Sequence, residues 1–225
     1  TGDSTRIYVN DTIASKGKIG GFAVSGRTST KNETTSWLEI TKNNYFIGHE
    51  AGINNSTGLY NTFFGYNSGY SNTEGHRNIF IGRQSGYLNT TGYSNVMIGD
   101  SAGYDNTTGY TNVFLGNNTG QKNIDGFQNV ALGNWAGYHN TTGNRNIFVG
   151  TAAGYDNTEG LINVFIGNLS GFNNTTGNHN VYLGSYAGYS SDTANLNVFI
   201  GNGAGYSNVG GHENVFIGNT SGNSN

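Results

Sequence analysis

The chain has 225 residues, of which 38 are Gly, 15 Tyr and 12 Phe, while Pro and Cys are absent. Charged residues make up only 10%, and the formal net charge is −3. Missing cysteine excludes disulfides and thiolate sites, and the weak negative charge argues against nucleic acid or anionic membrane as a partner. No apolar run approaches the roughly 18 residues of a membrane helix, so we expect no membrane insertion.

Residues 1–43 differ from the rest of the chain in composition and in sequence pattern. They hold six of the ten Lys and Arg residues and three strand-like stretches, at 5–9, 21–24 and 36–40. Because the ends of a solenoid need atypical, polar capping units, we expect 1–43 to be a β-rich lead-in or cap. Asp-Ser-Thr and Asp-Thr-Ile in this segment are candidate O-glycosylation sequences at Ser4 and Thr12, as is Asp-Thr-Ala at Thr193.

From residue 44 to 225 the sequence follows one unbroken 17-residue unit, N-V-F-I-G-x-x-A/S-G-Y-x-N-T-T-G-x-x. Places in this unit are counted from its first Asn, and glycine fills the fifth and ninth places of all eleven copies. Short strands, fixed glycines and a constant period predict an all-β solenoid with one unit per coil, ten full coils and a partial one. The first-place side chains could form an Asn ladder between coils. They are Asn44, Asn61, Asn78, Asn95, Asn112, Asn129, Asn146, Asn163, Asn180, Asn197 and Asn214.

The third place carries the prediction about assembly. Its side chain points away from the apolar second and fourth places, because side chains alternate along a strand. A strand that is apolar on both faces is normally buried on both, so we expect this column to pack against sister chains in a homotrimer. A separate possibility is a filament that polymerises end to end through the open coils at its two ends. The column comprises Phe46, Phe63, Phe80, Met97, Phe114, Phe148, Phe165, Tyr182, Phe199 and Phe216.

The first places of the unit resemble the S-V-A-I-G-x-x-A repeat of trimeric autotransporter adhesin heads, which implies a β-roll with three chains around an axis. The whole chain is similar to repetitive surface and tail-fibre-like proteins of Bacteroidota. That resemblance rests on residues 3–10, 17–27 and 44–52 and on the N-T-T-G repeats. It implies an extracellular, cell-surface or virion tail-fibre location. Since the chain starts without Met and stops inside a repeat, we read it as a segment of a longer protein.

No constellation of chemically active residues keeps a register from coil to coil. The five His fall at four different places of the unit, and acidic residues are equally scattered, so we predict no catalytic site, no metal site and no cofactor. The variable sixteenth place carries Tyr93, Tyr110 and Phe127, a candidate ligand face for surface glycans. Repeated Thr-Thr pairs make ice binding a further candidate function, although adjacent residues on a strand point to opposite faces.

These observations favour a non-enzymatic, structural segment of an extracellular fibre or filament, built as a stiff homo-oligomeric shaft. The alternative is an adhesin or host-recognition tail-fibre module that binds glycan or a cell surface. Ice binding by the solenoid is a further alternative.

Overall fold

The computed structural model describes residues 21–27 and 34–223, which form thirteen strands in a single sheet whose order follows the chain. The predicted all-β solenoid with 17 residues per coil is confirmed. Strands β1 (Gly21–Arg27) and β2 (Thr34–Thr41) precede eleven three-residue strands, one per coil. These are β3 (Tyr45–Ile47), β4 (Thr62–Phe64), β5 (Ile79–Ile81), β6 (Val96–Ile98), β7 (Val113–Leu115), β8 (Val130–Leu132), β9 (Ile147–Val149), β10 (Val164–Ile166), β11 (Val181–Leu183), β12 (Val198–Ile200) and β13 (Val215–Ile217).

The lead-in segment joins the same sheet. Strands β1 and β2 pair antiparallel, and β2 then pairs antiparallel with β3, with Glu39 opposite Phe46. Two of the three strand-like stretches of 1–43 thus coincide with strands, and the hairpin lies along the edge of the first coil. The stretch 5–9 lies outside the described residues, as do Ser4 and Thr12.

Strands β3 to β13 are parallel and stack in a register of exactly one repeat unit, as in the pairing of Phe165 with Phe148 and Tyr182. The turns stack in the same way. The amide of Gly65 donates to the carbonyl of Ile47 in the coil before it (2.8 Å), and the amide of Gly69 donates to Ser85 in the coil after it (2.9 Å). Each inner coil is therefore hydrogen-bonded to both of its neighbours along strands and turns alike.

Two of the fixed glycines are required by close approach. At the fifth place, Gly65 has φ +141°, and a Cβ there would collide with the carbonyl oxygen of Gly82. At the ninth place, Gly69 has φ +59°, and a Cβ would lie 2.6 Å from the ring of Phe63. Glycine therefore permits both the spacing between coils and the packing of a large third-place side chain inside the coil.

The third-place column is the interior of the single chain, so the prediction that it packs against sister chains is wrong. From Phe63 to Phe199 these side chains are at most 1% exposed, and Phe46 is 4% exposed. The stacked rings lie 4.8 to 5.0 Å apart and within 12° of parallel. Side chains do alternate along the strand, but the third place faces the inside of the coil. Glycine at the ninth place and Ala, Ser or, once, Thr at the eighth leave room there for a large side chain.

Two coils have no aromatic ring at the third place: Met97 fills that place in one, and the other is left with only a methyl group. Ala131 takes the third place there, and Phe148 of the next coil tilts 30° from Phe165, at a centroid separation of 5.6 Å. A Cβ on Gly137, in the Ala131 coil, would lie 2.7 Å from the Phe148 ring, whereas the equivalent glycine elsewhere meets the third-place side chain of its own coil. Phe148 therefore leans into the space that a ring at position 131 would fill.

Candidate functional site

Two columns of buried asparagine run along the interior. At the first place, the backbone N–H of Asn61 donates to Oδ1 of Asn44 (2.9 Å), and Nδ2 of Asn61 donates to the carbonyl of Gly75 (2.8 Å). At the twelfth place, Nδ2 of Asn89 donates to Oδ1 of Asn72 (2.7 Å). Both patterns repeat along the solenoid. They satisfy polar groups that the ring column would otherwise leave unpaired in an apolar interior.

The twelfth-place column is interrupted once, at Ser191. The buried Oδ1 of Asn174 consequently has no donor among the described residues, and neither Ser191 Oγ nor Tyr182 Oη reaches a partner in hydrogen-bonding geometry. Burial raises the pKa of Tyr182, although the nearby Ser191 and Asn197 oppose part of that rise. Asn174, Tyr182 and Ser191, from two adjacent coils, are thus three of the six described residues whose buried polar side-chain atoms have no hydrogen-bond partner.

The candidate ligand face at the sixteenth place forms a stack of rings. His76, Tyr93, Tyr110 and Phe127 lie 4.9 to 5.1 Å apart with nearly parallel planes. The guanidinium of Arg145 covers the far end, 5.7 Å from the Phe127 centroid. Because each ring covers the next, Tyr93, Tyr110 and Phe127 present edges to solvent and offer no open ring face on which a sugar could stack.

A second external stack follows the tenth place, and the sequence reasoning missed it. Tyr70, Tyr87 and Tyr104 stack at 4.9 to 5.0 Å, and a longer stack resumes beyond Gln121. It contains Tyr138, Tyr155, Phe172, Tyr189 and Tyr206. The recurrent Tyr of the unit was the available signal. Burial is the main cause of the raised pKa of Tyr87 and of Tyr155, with neighbouring tyrosines adding to it.

Charged side chains pair between adjacent coils. Lys122 Nζ lies 2.9 Å from Asp105 Oδ2, and hydrogen bonding to that carboxylate raises the pKa of Lys122. His139 Nδ1 lies 2.8 Å from Asp156 Oδ1. Such exposed pairs contribute about 0–1 kcal/mol each. Within the described ranges, no three His, Asp or Glu residues converge on a point where a metal ion could bind, and no helix is long and apolar enough to cross a bilayer.

The threonines of the turn are partly engaged. At the thirteenth place, Oγ1 of Thr90 donates to the carbonyl of Thr107 (3.1 Å), and Oγ1 of Thr141 donates to that of Thr158 (3.0 Å). These hydroxyls bond to the next coil. Thr193, the one candidate glycosylation residue that the structure describes, is exposed.

Comparison with protein-family models, curated proteins and solved structures found no match.

Proposed function

We propose that this chain is a non-enzymatic structural segment, a stiff shaft within an extracellular fibre or filament. The observation that carries the proposal is the unbroken register of eleven stacked coils, from β3 to β13. Strands, turns and buried Asn side chains all bond from one coil to the next, so bending or stretching the solenoid would strain many hydrogen bonds together. Stiffness is the property that such an arrangement offers.

The composition supports an exposed location. Only four of the ten Lys and Arg residues fall within the coils, and a chain so poor in these residues gives trypsin-like proteases few sites. The absence of cysteine makes stability independent of the redox compartment. On the ground of protease resistance we propose that the segment lies at the cell surface, in the extracellular space or in a virion tail fibre.

Assembly with further copies of the chain is the second part of the proposal, and the second and fourth places support it. They form two parallel columns of mostly Val, Ile and Leu on the outer face of the sheet, with Phe64 54% exposed and Ile166 40% exposed. Eleven strands spaced by about 4.8 Å, each about 10 Å long, make a face of roughly 500 Å². Two such faces together reach the roughly 1,000 Å² that a specific interface requires.

A second copy is the partner that fits this face best. Its own columns rise by the same step per coil, so side chains on both surfaces can interdigitate along the whole length. The face also carries no charged residue at the second or fourth place of any coil. A homo-oligomer, in its simplest form a dimer or the trimer that the repeat resemblance implies, would bury both columns.

Sedimentation velocity over a range of concentrations tests the proposal directly, because it distinguishes oligomers from the 23.9 kDa monomer. We expect oligomers for the parent chain and monomers for a variant with Ile81→Lys, Leu115→Lys and Val149→Lys, all on the outer face. The matched control places the same charges at the exposed fourteenth place, with Thr91→Lys, Thr108→Lys and Thr142→Lys, and should remain oligomeric. A parent chain that is monomeric at every concentration would contradict assembly, and negative-stain images without straight particles would contradict the shaft.

Ice binding receives less support. The thirteenth-place hydroxyls donate to carbonyls of the next coil, so they do not form a free array. At the fourteenth place the Thr column is interrupted by Glu74, Asp125 and Glu159. Neither column offers the regular, uncharged Thr surface that this function needs.

A further inference from the structure

One external notch differs from the rest of the solenoid surface. It has a volume of 330 Å³ and lies where the seventh-place column passes from Trp135 through Ala152 to Leu169. The three residues share a left-handed backbone, with φ of 58°, 51° and 56°. Their side chains therefore leave successive coils in a similar direction, and the small side chain of Ala152 leaves a gap between an indole and a leucine.

The walls of the notch combine apolar and neutral polar groups. Tyr155 and Phe172 of the tenth-place stack line one side, and Thr151 and Asn168 contribute a hydroxyl and an amide. No charged side chain lines the notch. A neutral ligand with an apolar face for the indole suits this lining, and hydroxyl groups at its edge could bond to Thr151 and Asn168.

The notch stays open because Trp135 does not lean over Ala152, as a comparison with the gap at Gly203 shows. The seventh-place column also loses its side chain at Gly203, but there Tyr186 from the coil below leans over the gap. Its ring centroid lies 5.9 Å from that of Tyr189 and 6.3 Å from that of Tyr206. Trp135 makes no such contact with any described ring, and it stays 42% exposed.

We propose that this notch is a saccharide-binding site that accepts one neutral pyranose ring stacked on Trp135. Trp135 and Leu169 are two coils apart, about 9.6 Å between their backbones, which leaves room for one ring between the two side chains. A pyranose presents C–H groups on one face and hydroxyls around its rim, and this matches the indole with Thr151 and Asn168. The volume falls at the lower end of the range for small-molecule sites.

This inference is independent of the shaft proposal, because a monomeric or an assembled solenoid would carry the same notch. It also places glycan recognition away from Tyr93, Tyr110 and Phe127, whose ring faces cover one another. A single sugar of about twelve non-hydrogen atoms should bind with a Kd on the order of millimolar.

Fluorine NMR of protein labelled with 5-fluorotryptophan tests the proposal, because the chain has only two Trp residues. Trp37→Phe assigns the two signals. The probes are the methyl glycosides of glucose, galactose and mannose and free N-acetylglucosamine, with sialic acid as a charged control. We expect at least one neutral sugar to shift the Trp135 signal to saturation, with no response to sialic acid.

Two variants should weaken that binding more than tenfold. Ala152→Leu fills the notch and should fold, because Leu169 already occupies the same place one coil later; Trp135→Gln removes the indole and copies Gln84. Asn118→Leu adds the same side chain at the seventh place outside the notch and should bind like the parent. The proposal is overturned if no neutral sugar moves the Trp135 signal at its solubility limit, or if Ala152→Leu binds as well as the parent.

Discussion

The side chain of Tyr182 lies beside Ser191 in the interior of one coil, and both depart from the pattern of the neighbouring coils. The coils before and after have Phe at the third place and Asn at the twelfth. The phenol oxygen of Tyr182 extends towards the space that the longer Asn side chain would occupy. The two substitutions therefore compensate for each other in volume, while Asn174 Oδ1 loses the donor that a twelfth-place Asn would supply.

A double-mutant cycle should detect this coupling. Ser191→Asn alone overfills the coil and should lower the free energy of unfolding by about 1–3 kcal/mol. Tyr182→Phe with Ser191→Asn restores the common pattern and supplies a donor for Asn174, so the double variant should be more stable than the parent by about 1–2 kcal/mol. Urea unfolding of the four proteins gives the coupling energy. Additive effects would mean that the two side chains do not share space.

Alkaline pH should destabilise the chain through Tyr182. Burial raises the pKa of Tyr182 above the ordinary value of 10.0, so the folded state keeps a proton that the unfolded state loses. The contribution is complete below pH 10 and is lost as pH rises above it. Between pH 10 and 11 the parent should lose about 1 kcal/mol more than Tyr182→Phe, because the unfolded tyrosine is only half ionised at the start of that interval. Parallel stability curves for the two proteins between pH 10 and 11 would contradict this.

Ala131→Phe should stabilise the solenoid. A ring at position 131 would complete the stack between Phe114 and Phe148 and allow Phe148 to lie parallel to Phe165. Full burial of a phenylalanine side chain is worth about 1.5–3 kcal/mol, and we expect the lower half of that range because Phe148 already fills part of the space. Thermal unfolding measures the gain, with Phe114→Ala as the opposite change, costing about 3–5 kcal/mol. A lower melting temperature for Ala131→Phe would show that the coil has no room for a ring at position 131.

Adjacent residues of β10 should respond oppositely to the same charge. Phe165→Asp puts a carboxylate in the ring column and should destabilise the fold by more than about 4 kcal/mol. Val164→Asp places it on the outer face and should leave folding nearly unchanged while weakening self-association. Circular dichroism separates the two effects from changes in mass, and Val164→Thr controls for the loss of the valine. If the Phe165→Asp chain folds normally, the Phe165 ring of the parent cannot lie in the interior.

The 17-residue spacing was enough to predict the solenoid, its register and the alternation of faces along Val164, Phe165 and Ile166. It could not show which face is interior, because all three side chains are apolar. That choice depends on Gly171 and its equivalents approaching the ring, which is a contact across the coil and not along the strand. The notch at Ala152 was equally hidden, since it depends on where the side chains of three separate coils point. The backbone of Ile162 could not be predicted either: it is left-handed, with φ 57°, although β-branched residues strongly prefer negative φ.

Gly65 approaches Gly82 closely, and the same contact recurs at the fifth place of each successive coil. The solenoid can therefore gain or lose length only in whole coils. Deleting or duplicating 17 residues would preserve every contact of this kind, whereas losing one residue would misalign glycine, ring and amide together. A gene for such a chain can therefore lengthen or shorten its product in whole steps of about 4.8 Å without redesigning any part of it. The length of the solenoid is therefore a whole number of coils, and the spacing of those coils depends on the missing Cβ of the fifth-place glycine.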